Sequence, residues 1–149
     1  MTTLVNGILG YPLKKPRSIG IWQAYFKKKR LDAIMKKFEV KPLALNNFFT
    51  TIKNMDEFKA TAVTMPYKIK VIKYMQGLDP YAQKAKSVNL IIKKNKKLFG
   101  FNTDVYGAYE SVKKIIPNYK LIVIIGLGGT GSEIFNFLKK KKKTNKFLI

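Results

Sequence analysis

Acid–base chemistry in this chain can fall only to Lys, Tyr, Asp or Glu, because its 149 residues include no histidine and no cysteine. That absence excludes Ser-His-Asp and Cys-His catalysis, the usual zinc sites and any disulfide framework. One stretch offers a hydroxyl and a cation at close spacing, Val63-Thr64-Met65-Pro66-Tyr67-Lys68. A second offers a carboxylate, Gly100-Phe101-Asn102-Thr103-Asp104-Val105-Tyr106-Gly107, and Asp104 is one of only 8 acids in the chain. A third, Gly126-Leu127-Gly128-Gly129-Thr130-Gly131, has the G-x-G-x-x-G pattern that lets a backbone approach a pyrophosphate.

Each stretch needs an element to hold it. The apolar run Ala60 to Val63 reads as a buried strand that Thr64 ends. Pro66 suits the first turn of a helix, and Ile69, Val71, Ile72 and Met75 follow at roughly helical spacing, so Lys68 is expected in that first turn. Such a corner puts Thr64 and Lys68 at the carboxyl end of a strand, where open α/β sheets place their ligands. Asp104 is expected at a second strand-to-helix junction, and Lys68 and Asp104 are expected to face each other across one cleft. Leu121 to Ile125 is uniformly apolar, as a strand buried on both faces should be, but with the neighbours that would cover it missing, its apolar side chains are expected to be exposed. After the glycine loop, Ile134, Phe135 and Leu138 recur at helical spacing. Gly126 and Gly128 permit the turn and the close approach, and Gly131 permits close helix–strand packing. The helix N-terminus supplies free N–H groups and a positive dipole end. Gly126, Gly128, Gly129, Thr130 and Gly131 are therefore the candidate cofactor-binding residues.

The rest of the chain supplies the framework. Leu4 to Leu9 reads as a strand closed by Gly10-Tyr11-Pro12, and Lys14 to Arg17 as a basic loop. Ser18 is placed to cap an amphipathic helix carrying Ile19, Ile21, Trp22, Tyr25 and Phe26. Leu31 to Val40 reads as a strand, Pro42 to Lys53 as a helix and Gly77 to Pro80 as a turn opening a short helix to Lys84. Ser87 to Ile92 reads as a strand containing Asn89, followed by a basic turn, Lys93 to Lys97, and a returning strand, Leu98 to Phe101. Tyr106 to Ile116 reads as a bridging helix ended by Pro117. The expected class is α/β: a three-layer domain with a mixed sheet over residues 1–104, then a linker helix and an incomplete Rossmann-type βαβ over 105–149.

The formal charge of +22 invites a nucleic-acid or anionic-membrane reading. The lysines are spread along the chain, however, and Arg17 and Arg30 are its only arginines, although arginine is the preferred residue for phosphate and base recognition. Solvated lysines are the preferred reading, with no nucleic-acid and no membrane partner. No apolar run of about 18 residues exists to span a bilayer. The N-terminus has no basic region ahead of an apolar one, so the chain reads as mature and cytoplasmic.

Taken together, the V-T-x-P-x-K and N-T-D-x-x-G segments resemble those of the shikimate dehydrogenase family. Between them that family has a G-A-V-N-T segment, present here as Lys86-Ser87-Val88-Asn89-Leu90. The resemblance implies reversible reduction of 3-dehydroshikimate to shikimate by NADPH. It makes Lys68 the catalytic lysine, Asp104 the aspartate that holds both the lysine and a ring hydroxyl, and Thr64 and Asn89 hydroxyl-binding positions. Ser18 matches the second of two carboxylate-binding serines, while the first is Pro16, the family's His-Asn pair is Trp22-Gln23, and its asparagine before V-T is Ala62. Lys14, Lys15 or Arg17 could replace the missing serine by charge. The resemblance covers nearly the whole chain but only about the first half of a family member, so the chain is expected to be truncated. The ribose-reading residue belongs about twenty residues beyond the first glycine, near Lys146 to Ile149 or past it, which leaves NADP against NAD open. An NAD-dependent quinate/shikimate dehydrogenase and a non-catalytic chain that binds a polyhydroxy carboxylate are the alternatives. The implied partner is a small-molecule substrate, no metal is implied, and the oligomeric state is left open.

Overall fold

A computed structural model of the chain describes residues 2–115, 121–126, 129–141 and 147–148. Pro117, Leu127, Gly128, the last lysines of the Lys139–Lys143 run, and Ile149 lie outside them. The chain divides into two compact units, Met1–Phe101 and Asn102–Ile149.

The first unit is an α/β fold built on one open mixed sheet. Its strands are β1 (Leu4–Gly10), β2 (Ala33–Glu39), β3 (Phe58–Val63), β4 (Gly77–Leu78), β5 (Leu90–Lys94) and β6 (Lys97–Phe101), in the order β2-β1-β3-β5-β6-β4. β1 pairs in parallel with both β2 and β3, β5 runs antiparallel to β3 and β6, and β4 is parallel to β6.

Helices α1 (Ser18–Lys28) and α2 (Leu45–Asn54) flank this sheet, and α3 (Pro80–Ala85) packs by its β4 edge. A 3₁₀ turn, Pro42–Ala44, leads into α2, whose Leu45, Phe49 and Ile52 recur at helical spacing and are all buried. They form one core with Leu9, Phe58, Val63 and Ile91. Phe38 joins them through rings 5.3 Å from Phe48 and 6.3 Å from Phe58. Met35 lies three residues before Phe38 in β2, so alternation turns it to the other face. There Met35 and the buried Phe26 of α1 stand apart from the main core. The sheet is thus the middle of three layers. In α3, Asp79 caps the amides of Ala82 and Tyr81, and Pro80 takes the first turn.

Three expectations away from the candidate site change. Gly77–Leu78 is a parallel edge strand, because Gln76 and Asp79 donate their amides to Leu98 and Gly100 of β6. The Lys93–Lys97 turn shrinks to Asn95-Lys96, with φ of 50° and 58°, and its lysines at 93, 94 and 97 become strand residues. Two left-handed residues make a type I′ hairpin, which matches strand twist but strains a lysine. Lys96→Gly is therefore expected to stabilise the first unit by roughly 0.5–1 kcal/mol, read as a higher midpoint in thermal melting. A lower midpoint would contradict this account of the turn.

The third change falls in the second unit, which holds α4 (Asp104–Ile115), β7 (Ile122–Val123), α5 (Gly129–Lys141) and β8 (Phe147–Leu148). The expected strand Leu121–Ile125 is regular only over Ile122–Val123, where β8 is its one strand partner among the described residues. Val123 is 58% exposed and Ile125 95% exposed. Burial on both faces needs flanking strands and helices that a two-stranded sheet does not supply.

Candidate functional site

Parallel pairing brings the carboxyl ends of β1, β2 and β3 to one rim. Because β5 runs the other way, its first residue lies beside the end of β3, with Leu90 opposite Ala62. Asn89 therefore opens at the same rim, just before β5 and not inside it. Its backbone is fixed on both sides: its carbonyl accepts from the Val63 amide at 2.8 Å, and its amide donates to Phe101 at 3.0 Å.

Thr64 leaves β3 at this rim and donates its amide to the Leu9 carbonyl at 2.9 Å. A Cβ on Gly10 would stand 2.6 Å from the Thr64 methyl, so glycine at the end of β1 is what admits the threonine. The chain then turns and does not enter a helix at Pro66. Tyr67 donates its amide to the Thr64 carbonyl at 3.0 Å, and the Met65–Pro66 peptide is cis. That hydrogen bond closes a four-residue turn over Thr64–Tyr67, and regular structure resumes only as the 3₁₀ turn Lys70–Tyr74. Lys68 sits between these turns, half-buried. Its carbonyl accepts from the Val88 amide at 2.8 Å, which ties it to the residue before Asn89. Backbone bonds alone thus gather Thr64, Lys68 and Asn89 at one corner of the rim.

Tyr67, fully buried, anchors that corner from below, and its hydroxyl donates to the Val40 carbonyl. Burial, with a smaller contribution from nearby Tyr11, pushes its phenol above the usual range.

Ser18 follows the loop that leaves β1, and it is the first helical residue, not the cap. Arg17 precedes α1 in a helical conformation with no side-chain cap. The Ser18 hydroxyl is buried and meets no hydrogen-bond partner among the described residues. The loop is held at three points. Tyr11 donates its amide to Met65 at 3.3 Å, Leu13 donates to Glu39 Oε1 at 2.8 Å, and Ile19 donates to Pro16 at 3.3 Å. Glu39 Oε2 pairs with Lys37 Nζ at 2.6 Å. The hydrogen bond from Lys37, then that from Leu13, holds the Glu39 carboxyl below the usual range.

In the second unit, the buried Asn102 uses its side-chain oxygen to accept from the Asp104 amide at 3.1 Å, which places Asp104 in the first turn of α4. Lys68 lies in the first unit and Asp104 in the second. Gly126 adopts φ +89°, a conformation that favours glycine, and a Cβ on Gly131 would meet the Gly126 carbonyl oxygen at 2.1 Å. Gly129 opens α5 and Thr130 follows it, whereas Gly128 lies outside the described residues. The Gly126 and Gly131 backbones therefore lie too close to leave room for a side chain at 131.

Sequence reasoning missed Glu39, Gly10, Tyr67 and Asn102. Asn102 stood within the quoted N-T-D segment. Glu39 carried no signal, because its partner is a backbone amide 26 residues away.

A family model of the shikimate dehydrogenase substrate binding domain matches residues 8–91, from within β1 into β5, and so includes Ser18, Thr64, Lys68 and Asn89. A shikimate dehydrogenase (NADP(+)) of Pyrococcus furiosus is 37% identical over 139 residues, covering 93% of this chain and 51% of that relative. The crystal structure of shikimate dehydrogenase from Aquifex aeolicus superposes with a TM-score of 0.83 at 30% identity, covering 93% of this chain and 52% of that one. A shikimate dehydrogenase solved in complex with NADP+ matches with a TM-score of 0.82 at 33% identity, covering 89% of this chain and 46% of that one. The chain spans about half the length of the curated relatives it matches. With a rim of this geometry inside the matched segment, the chain belongs to the family of the shikimate dehydrogenase substrate binding domain.

Proposed function

We propose that the chain carries the substrate-binding domain and the first part of the dinucleotide-binding domain of an NADP-dependent shikimate dehydrogenase. On this reading it serves the reversible reduction of 3-dehydroshikimate to shikimate. The observation that carries the proposal is the gathering of Thr64, Lys68 and Asn89 at one rim by the Val63–Asn89 and Val88–Lys68 backbone bonds. A ring bearing several hydroxyls needs several fixed polar groups around it, and this rim supplies them within the segment that the family model matches.

The roles follow from the groups. Ser18 donates its hydroxyl to the substrate carboxylate. Thr64 and Asn89 hold ring hydroxyls. Lys68 donates a proton to the ketone oxygen as charge develops there, and Asp104 keeps the catalytic role that its N-T-D segment gives it. The G-x-G-x-x-G pattern from Gly126 to Gly131, the close approach of Gly126 and Gly131 and the start of α5 support a pyrophosphate site. Bound NADPH would supply the hydride.

Titrating the purified 149-residue chain with shikimate by calorimetry tests the proposal. Saturable one-to-one binding is expected, with turnover of NADPH and 3-dehydroshikimate well below the roughly 10 per second of an ordinary enzyme. Turnover is expected to be low because, among the described residues, the second unit has only the short strands β7 and β8. Absence of binding at millimolar shikimate would refute the reading.

A further inference from the structure

We propose that Glu39 is a positioning residue for the substrate's carboxylate: from the end of β2 it fixes the loop between β1 and α1, and so the place of the Ser18 hydroxyl. The inference rests on the reading above that Ser18 receives that carboxylate.

The loop Tyr11 to Arg17 has no regular structure of its own. Lys14, Lys15 and Arg17 within it are cations in a chain of charge +22, so nothing inside the loop holds it electrostatically. Its end near Gly10 is fixed by the amide of Tyr11 and its far end by that of Ile19. Between them, the hydrogen bond from Leu13 to Glu39 Oε1, at 2.8 Å, joins the loop to a different strand. A carboxylate accepting a backbone amide is a charge-assisted bond, about twice as strong as a neutral one. Lys37 turns the other oxygen aside at 2.6 Å and keeps the group ionised, so Oε1 stays aimed at the loop. The buried Leu13 side chain lies against the β1 end, where a Cβ on Gly10 would reach its Cδ2 at 2.9 Å. Loss of the Leu13 bond would leave that packing but free the residues after it, among which Pro16 and Ser18 set the start of α1. An acid outside the Thr64, Lys68 and Asn89 corner thereby governs where an anion is received.

The test compares Glu39→Ala, Glu39→Met and Glu39→Gln in the 149-residue chain, with shikimate affinity by calorimetry, NADP+ affinity by fluorescence and folding by circular dichroism. Alanine removes both acceptors, methionine keeps the bulk without a carboxylate, and glutamine keeps an oxygen for the Leu13 amide. Glu39→Ala and Glu39→Met are expected to weaken shikimate binding about tenfold, as loss of a charge-assisted bond implies. Glu39→Gln is expected to restore most of the affinity, with NADP+ binding unchanged throughout. A merely structural role would not separate glutamine from methionine in this way. If the unaltered chain binds shikimate and the alanine and methionine variants bind it equally well, the inference fails while the functional reading stands. If the unaltered chain does not bind shikimate, the functional reading fails and this inference falls with it.

Discussion

Lys68→Ala is expected to lower kcat for shikimate oxidation by about 10²–10⁴-fold in an active polypeptide carrying these residues, while KM changes only a few-fold. The reason lies in when the lysine acts. A ketone oxygen carries little charge in the bound substrate and gains it on the way to the alcohol, so a cationic donor is felt mainly in the transition state. Ser18, Thr64 and Asn89 would still hold the ring, which is why binding is largely spared. The lysine backbone is fixed independently of its side chain by the Val88 amide, so truncation should leave the corner intact. Steady-state kinetics in both directions measure the effect. Asp104→Asn should also lower kcat, and if the two residues serve one proton the double variant should lose little more than Lys68→Ala alone. A Lys68→Ala variant with unchanged kcat would remove the lysine from the mechanism.

Gly131→Ala is expected to weaken NADP+ binding by a factor of roughly 5–150 and to leave shikimate affinity untouched. The added methyl would lie 2.1 Å from the Gly126 carbonyl oxygen. That oxygen belongs to backbone and cannot swing away like a side-chain tip, so the loop and α5 must separate. Overpacking of this kind costs about 1–3 kcal/mol, and the quoted factor is that cost expressed as an affinity. Fluorescence titration with NADP+ beside calorimetry with shikimate separates the two effects. Equal NADP+ affinity in the variant and the unaltered chain would show that this loop does not carry the cofactor.

How far the sequence reached depended on whether each signal was local. Thr64 at the end of a strand, Asp104 at the start of a helix and the glycine loop before α5 were all legible, because strand, turn and helix propensities act over a few residues. Pro66 misled: the apolar spacing from Ile69 to Met75 suits a short 3₁₀ turn as well as an α-helix. The strand Gly77–Leu78 was hidden because two residues carry no periodicity, and it exists only where β6 offers partners. Ser18 was read as a cap on residue type, whereas the helix begins one residue earlier than a cap there would allow. Glu39, Gly10 and Tyr67 were invisible for one common reason. Each acts on a distant backbone atom or a distant methyl group, and only the folded sheet brings these together.

The strand order also sets the timetable on which the rim can be completed. β1 must wait for β2 on one side and for β3 on the other, with Val5 finally beside Phe58. The hairpin β5–β6 closes locally and fast, whereas joining it to β3 closes a longer loop and is slower. Until that happens β3 presents an unpaired edge, the kind of surface that recruits other chains. During synthesis the edge stays open at least until the chain has been extended through Lys94, the end of β5. Asn89 can take its place beside Val63 only after that closure. The corner that gathers the candidate site is therefore among the later parts of the unit to form, and a ribosome pausing before Lys94 would hold the nascent chain with that edge uncovered.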